Sequence, residues 1–242
     1  MTIDNIGIDG DGILTNLDIW QYSLGLEKLT GIKLLDLAYN QKFSCLEELI
    51  EYFEKAYLRK NGITVNLNEV IKNPEAYHLR EIFGISKVKE YAIATFAFIK
   101  YCSKYKFREE ARETINKWYN DGRGIHIITA RKFISEDSFK PFRKIVRTGF
   151  MKLMREDNIP YHTITYCSET NAPAVKRDAC LEYDVKVMFE DRPDIVKEVS
   201  TATHVGCFDA TYNRKLDGTT IHRVHNGFYG ADELVEKLER VR

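Results

Sequence analysis

Residues Ile6 to Asn16 read IGIDGDGILTN, a short apolar run that breaks into two carboxylates, Asp9 and Asp11, interleaved with Gly10 and Gly12. Two readings are open. Asp and Gly tolerate the backbone angles of a tight turn. Equally, two carboxylates can be held side by side at the end of a buried strand, where a metal ion or a phosphate meets them.

The surrounding pattern decides the fold class. Ile3 to Ile8 reads as a short buried strand, and a helix follows from about Asp18 to Leu29, closed by the Gly31 stop signal. From Lys33 to about Tyr105 apolar residues recur at helical spacing, as in Leu46, Leu49, Ile50, Phe53 and Tyr57, which predicts a mainly helical module of three to five helices. After Phe107 the rhythm changes. A helix from about Arg108 to Asn120 precedes the strand Gly124–Ile128 ending at Thr129. Next come a helix from about Ser138 to Asp157, the strand Thr163–Tyr166, a helix over Pro173–Tyr183 and the strand Val185–Phe189. A short helix Asp194–Ser200, the strands Thr203–Phe208 and Thr220–Val224, and a helix Tyr229–Val241 close the chain. Strands alternating with helices imply a parallel sheet covered on both faces. The expected class is α/β: a Rossmann-like parallel sheet core, residues 1–17 and 106–242, with a mainly helical cap, residues 18–105, inserted after the first strand.

Composition narrows the function classes. The 242 residues are 44% hydrophobic and 30% charged, an ordinary profile for a folded globular chain. Lys plus Arg and Asp plus Glu are equal at 36 each, so bulk charge gives no reason to bind nucleic acid or an anionic membrane. Cys45, Cys102, Cys167, Cys180 and Cys207 are odd in number and lack zinc-ligand spacing, which argues against a disulfide framework and for a reducing cytoplasm. Met1 to Asn5 carry no basic run leading into a long apolar stretch, and nowhere do ~18 apolar residues run together, so neither a signal peptide nor a membrane span is expected.

Three predicted strands end in polar punctuation: Asp9-Gly10-Asp11, Thr129-Ala130-Arg131 and Glu190-Asp191. In open parallel sheets ligands bind beyond the carboxyl ends of the strands, so these ends can converge. Carboxylates from two strands make a hard oxygen site suited to Mg²⁺ and phosphate oxygens. A carboxylate can attack phosphorus, and a second one two residues on can pass a proton to the leaving oxygen and later take one from water. The intervening glycines keep the turn slim enough for a phosphate to reach backbone N–H groups.

IDGDGILTN, IHIITAR, the Lys176 of VKRDAC, and VMFEDRP resemble, in order, the four motifs of the haloacid dehalogenase-like phosphatase superfamily. The similarity is greatest to the deoxyribonucleotidase type and its bacterial relatives, whose C-terminal part YNRK and IHRVHNG also resemble. The resemblance spans the α/β part and covers the helical insertion by position and size only. It implies a Mg²⁺-dependent phosphomonoester hydrolase working through an aspartyl-phosphate, with a nucleoside monophosphate or deoxynucleotide as its small-molecule substrate. Asp9 matches the nucleophile, and Asp11 the general acid/base whose main-chain carbonyl also meets the metal. Thr129 matches the hydroxyl on the transferring phosphoryl group, with Gly12 and Ala130 beside it, and Lys176 the neutralising amine. Glu190 and Asp191 match the acidic pair that completes the metal site with Asp9. Glu-Asp replaces the commoner double aspartate, and Gly10 replaces the usual apolar residue.

Several alternatives stay open on the sequence. Either Glu190 or Asp191 touches the metal, with Asp191 favoured. Lys186 and Arg177 lie near Lys176. Arg131 either contacts substrate or pairs with an acid. Trp20 either stacks on a nucleobase or packs inside the helical insertion, which is expected to act as a lid. The basic run Lys140, Arg143, Lys144, Arg147, Lys152 and Arg155 reads as a solvated amphipathic face, and His222 and His225 as structural. A sugar phosphate is the alternative substrate, and a phospho-ligand-binding protein without turnover the alternative class.

Overall fold

The computed structural model describes residues 2–240; Met1, Val241 and Arg242, and with them the expected end of the last helix, lie outside the described residues. The chain opens with β1 (Asn5–Ile8), an irregular turn at Gly10–Leu14 and α1 (Leu17–Thr30). Five helices follow: α2 (Leu35–Tyr39), α3 (Leu46–Asn61), α4 (Leu67–Val70), α5 (Leu79–Ile82) and α6 (Lys87–Lys104). Then come α7 (Glu109–Asn120), β2 (Gly124–Thr129), α8 (Lys140–Glu156), β3 (Thr163–Tyr166), α9 (Ala172–Glu182) and β4 (Val187–Glu190). The last elements are α10 (Pro193–Val199), β5 (His204–Phe208), β6 (Ile221–Val224) and α11 (Gly227–Arg240). Two compact units result, one running to Thr15 and resuming at Phe107, the other spanning Asn16–Lys106.

The first unit is built on a six-stranded parallel sheet in the order β3-β2-β1-β4-β5-β6, the α/β, Rossmann-like class. The chain moves outward from β1 through β2 to β3, then returns to the other side of β1 for β4, β5 and β6. That reversal makes the carboxyl ends of β1 and β4 the natural place for a ligand crevice. Side chains alternate between the two faces, as strand geometry requires. Ile128, Met188 and Cys207 join Ala179, Cys180, Val196 and Val199 of α9 and α10 in one apolar layer. Their neighbours Phe189 and Phe208 face the other way, where Trp118 of α7 lies flat on Phe189 at 5.5 Å and Phe228 of α11 meets both Trp118 and Phe208. Trp118 is fully buried, and its indole N–H donates to Asp232 at 2.8 Å, so this donor is not stranded.

The starts of β1 and β4 each lie two residues later than the sequence reading, for a hydrogen-bonding reason. Ile3 donates its N–H to Glu239 at 3.2 Å and its carbonyl accepts from Arg123 at 2.8 Å, so pairing starts at Asn5. The Val185 N–H is taken by the Cys180 carbonyl at 2.8 Å, closing α9 before β4 begins.

The helical unit packs on an aromatic interior. Trp20 of α1 is 3% exposed and lies against Tyr101 at 4.7 Å and Phe98 at 6.0 Å, both from α6. Asn16 caps α1 by accepting from the Ile19 N–H, and Gly31 ends it with φ +71°. Among the described residues no helix is long and apolar enough to cross a membrane.

Candidate active site

Asp9 is the residue after β1, and its N–H still donates to the Phe189 carbonyl of β4 at 3.1 Å, so the sheet fixes its main chain. Beyond it the chain leaves the strand direction. Asp11 keeps an extended backbone, and Gly12 turns it with φ +83°. Gly12 is also where the turn comes closest to β4: a Cβ there would sit 2.1 Å from Asp191 Oδ2. Gly10 is tight against β2, since a Cβ would sit 2.7 Å from Thr129 Oγ1. The glycines of the opening motif therefore let β1 approach two other strand ends.

Lys176 of α9 reaches into this space from one face of the sheet. Its Nζ lies 2.6 Å from both Asp9 Oδ1 and Glu190 Oε2, and the side chain is fully buried. Burial works to lower the ammonium, but the two carboxylates outweigh it and hold the group above its ordinary value. Glu190 is engaged at both oxygens: Oε2 by Lys176, and Oε1 by the N–H groups of Asp191 and Arg192 at 3.0 Å each. Asp191 is the carboxylate left to face Asp9. Burial raises its pKa well above the usual range, with Glu190 and Asp9 adding to the effect and the Tyr212 hydroxyl opposing it.

Thr129, the last residue of β2, is fully buried, and its hydroxyl has no hydrogen-bond partner in the protein. A buried hydroxyl without a partner costs about 1–3 kcal/mol, a cost that a ligand oxygen can remove. Ala130 follows it, half-buried. Arg131 is 2% exposed; its guanidinium lies 4.3 Å over the Phe150 ring, and Nη2 is 2.7 Å from Asp11 Oδ1. Of the two sequence readings for Arg131, the pairing with an acid is the one observed.

Carboxylate oxygens of Asp9, Glu190 and Asp191 all lie within 4.8 Å of one another. With Asp11, four acidic groups share the company of two cations, Lys176 and Arg131. This excess of buried negative charge in an all-oxygen donor set fits a hard divalent cation such as Mg²⁺. Asp9 and Asp191 could hold it. Glu190, the other sequence candidate, lies in the same cluster with its oxygens bonded to Lys176 and the main chain.

Other candidates lie elsewhere. Trp20 is 3% exposed and lies against Tyr101 and Phe98, as the packing alternative expects. Lys186 pairs with Asp184, and Arg177 with Asp178 and Glu198. On α8, Arg143 and Arg147 pair with Glu136, while Val146, Phe150 and Leu153 are buried, giving an amphipathic face. His222 is bonded to His204 at 3.0 Å.

The structure adds residues that the sequence reading did not single out. The loop after β5 carries Tyr212, whose hydroxyl donates to Asp191 Oδ2, and Asn213, whose amide donates to the Asp191 carbonyl at 2.8 Å and to the Phe208 carbonyl at 2.7 Å. The only sequence signal at these positions is the YNRK stretch within the family resemblance.

Gly12 offers a direct check on this geometry. Gly12→Ala and Gly122→Ala both force alanine into positive φ, at +83° and +84°, which costs roughly 1–2 kcal/mol in each case. Gly122 has nothing within 4 Å of the added carbon, whereas at Gly12 the Asp191 carboxylate must move. Urea unfolding is expected to show a clearly larger loss for Gly12→Ala. Equal losses would mean that the two strand ends are not in contact at this point.

No protein-family model and no curated protein sequence matches the chain. Solved structures with a similar fold include a haloacid dehalogenase-like family hydrolase from Xanthomonas campestris, 13% identical, covering 98% of this chain and 96% of that one, TM-score 0.51. Another is CbbY from Rhodobacter sphaeroides in complex with phosphate, 16% identical, covering 94% and 95%, TM-score 0.48. At such identities the likeness to the Xanthomonas hydrolase establishes a shared fold.

Proposed function

We propose that this chain is a Mg²⁺-dependent phosphomonoester hydrolase of the haloacid dehalogenase-like superfamily, working through an aspartyl-phosphate on Asp9. The observation that carries this reading is the gathering of Asp9, Thr129, Lys176 and Asp191, from three strand ends and one helix, around one buried cluster of charge. In the first step an Asp9 oxygen attacks phosphorus, the ester P–O bond breaks, and Asp11 gives a proton to the departing alcohol oxygen. In the second, Asp11 takes a proton from water, which attacks the phosphorus and frees Asp9 and inorganic phosphate. Thr129 donates its spare hydroxyl to the phosphoryl group, and Lys176 pairs with Asp9 and neutralises charge on the phosphoryl oxygens. Arg131 fixes the position of Asp11. Asp9 and Asp191, with the Asp11 carbonyl, would hold Mg²⁺, which would supply further neutralisation of those oxygens.

A nucleoside monophosphate or deoxynucleotide is the first substrate class, on the strength of the sequence resemblance. A sugar phosphate or another small phosphorylated metabolite is the second, in keeping with the burial of Trp20. Five cysteines without a disulfide suit a cytoplasmic setting. The test is Mg²⁺-dependent release of phosphate from a generic aryl phosphate, followed by a panel of nucleotides and sugar phosphates. No release under any metal or pH would leave a binding protein as the better reading, and equal slow turnover across the panel would remove the nucleotide class.

Metal and pH are coupled through Asp191 and Glu190. Their carboxyls titrate higher in the folded protein than the ordinary 3.8 and 4.5, so the native state binds more protons and stability falls as pH rises above those values. Mg²⁺ is expected to offset this at neutral pH, by about 2.7 kcal/mol at a hundred times its dissociation constant. Thermal unfolding should show a large Mg²⁺ shift at pH 7 and a small one near pH 4. A shift of the same size at both would mean that the ion binds away from these carboxylates.

A further inference from the structure

Asp191 is gripped at both its main chain and its side chain by a loop that takes no part in the steps above. Asn213 is 1% exposed and fully committed: its amide donates to the Asp191 and Phe208 carbonyls at 2.8 and 2.7 Å, while its Oδ1 accepts from Arg223 Nη1 at 2.6 Å and from the Ala210 N–H at 3.2 Å. Arg223, on β6, also donates to the carbonyls of Asn213 and Leu216. Tyr212, beside Asn213, is thereby carried to Asp191 and donates its hydroxyl to Oδ2.

A phenolic hydrogen bond takes up one lone pair of Oδ2 and disfavours chelation of one ion by both Asp191 oxygens. Mg²⁺ demands near-octahedral coordination and takes carboxylates through single oxygens. Ca²⁺ accepts more ligands and readily takes both oxygens of one carboxylate. We propose that Tyr212 is a positioning residue that makes Asp191 a one-oxygen ligand and so biases the site toward Mg²⁺ over Ca²⁺. This rests on the metal-site reading of Asp9 and Asp191.

Tyr212→Phe removes the hydroxyl and little else. Dissociation constants for MgCl₂ and CaCl₂ are measured by thermal-shift titration of the full chain, a readout independent of turnover. The variant is expected to bind Mg²⁺ about tenfold more weakly, in the range seen when groups that orient a metal ligand are removed, with Ca²⁺ binding unchanged or tighter. Tyr229→Phe, which removes another tyrosine hydroxyl bonded to a carboxylate (Glu113, 3.1 Å), should leave both constants unchanged. A proportional loss of both ions in Tyr212→Phe, or no change in either, overturns the selectivity role while leaving the metal site standing. If wild-type protein binds neither ion, the metal-site reading falls and this inference with it.

Discussion

Asp9→Asn is expected to lower turnover of a phosphomonoester by roughly 10⁴-fold or more, with the protein still folded and still able to bind the substrate. Asparagine keeps the shape of the side chain, and the Asp9 N–H stays on the Phe189 carbonyl at 3.1 Å, so the β1 end does not move. Lys176 keeps Glu190 as a partner at 2.6 Å, so no buried cation is stranded. What disappears is the oxygen nucleophile. Steady-state rates give the size of the loss, and circular dichroism with thermal unfolding shows that it is chemical. Rapid acid quench separates this from a role in metal binding alone. With an aryl phosphate, whose leaving group departs without a proton, wild-type protein should yield a phosphorylated peptide containing Asp9, Asp11→Asn should accumulate more of it because the second proton transfer is lost, and Asp9→Asn should yield none. A covalent phosphate on Asp9→Asn, or residual activity within tenfold of wild type, would end the aspartyl-phosphate reading.

Much of this site is readable in the sequence because three of its parts sit where the pattern changes. Asp9, Thr129 and Asp191 each follow a short β-branched or aromatic run, and a parallel sheet puts the ends of such runs on one edge. Lys176 is harder. Nothing in the helical stretch distinguishes it from Lys186 or Arg177, since a lysine on a helix is ordinarily solvated, and only motif order singles it out. Tyr212 and Asn213 are harder still. They follow Phe208-Asp209-Ala210-Thr211, which looks like any loop after a strand, and their partners are a carbonyl and a carboxylate more than twenty residues away. Main-chain partners leave no trace in composition or periodicity. The same limit explains Arg131, whose burial depends on where α8 places the Phe150 ring. It also explains the four-residue helices α4 and α5, too short to show a period.

Lys176→Met tests the other half of the charge cluster, and its expected effect is on stability as well as activity. The lysine is 0% exposed and its amine is 2.6 Å from two carboxylates that are themselves buried, so deleting the charge leaves Asp9 and Glu190 facing each other without compensation. Breaking a buried pair from one side costs about 3–5 kcal/mol, whereas removing both sides together is often close to neutral. Chemical denaturation of Lys176→Met should show a loss of that order, and Lys176→Met/Glu190→Gln should recover part of it. Activity should not recover in the double variant, because the phosphoryl oxygens still lack their amine. The loss should also depend on pH in a defined direction. Without the ammonium, the Glu190 carboxyl, already raised by burial, loses the partner that lowers it and remains protonated to higher pH, so the native state binds more protons than the unfolded chain. The variant is therefore closest to wild type in mild acid and falls away as pH rises. A destabilisation of the same size at pH 5 and pH 8 would mean that Lys176 supports the fold by packing its methylenes under β4, and that its charge is not what holds Asp9 in place.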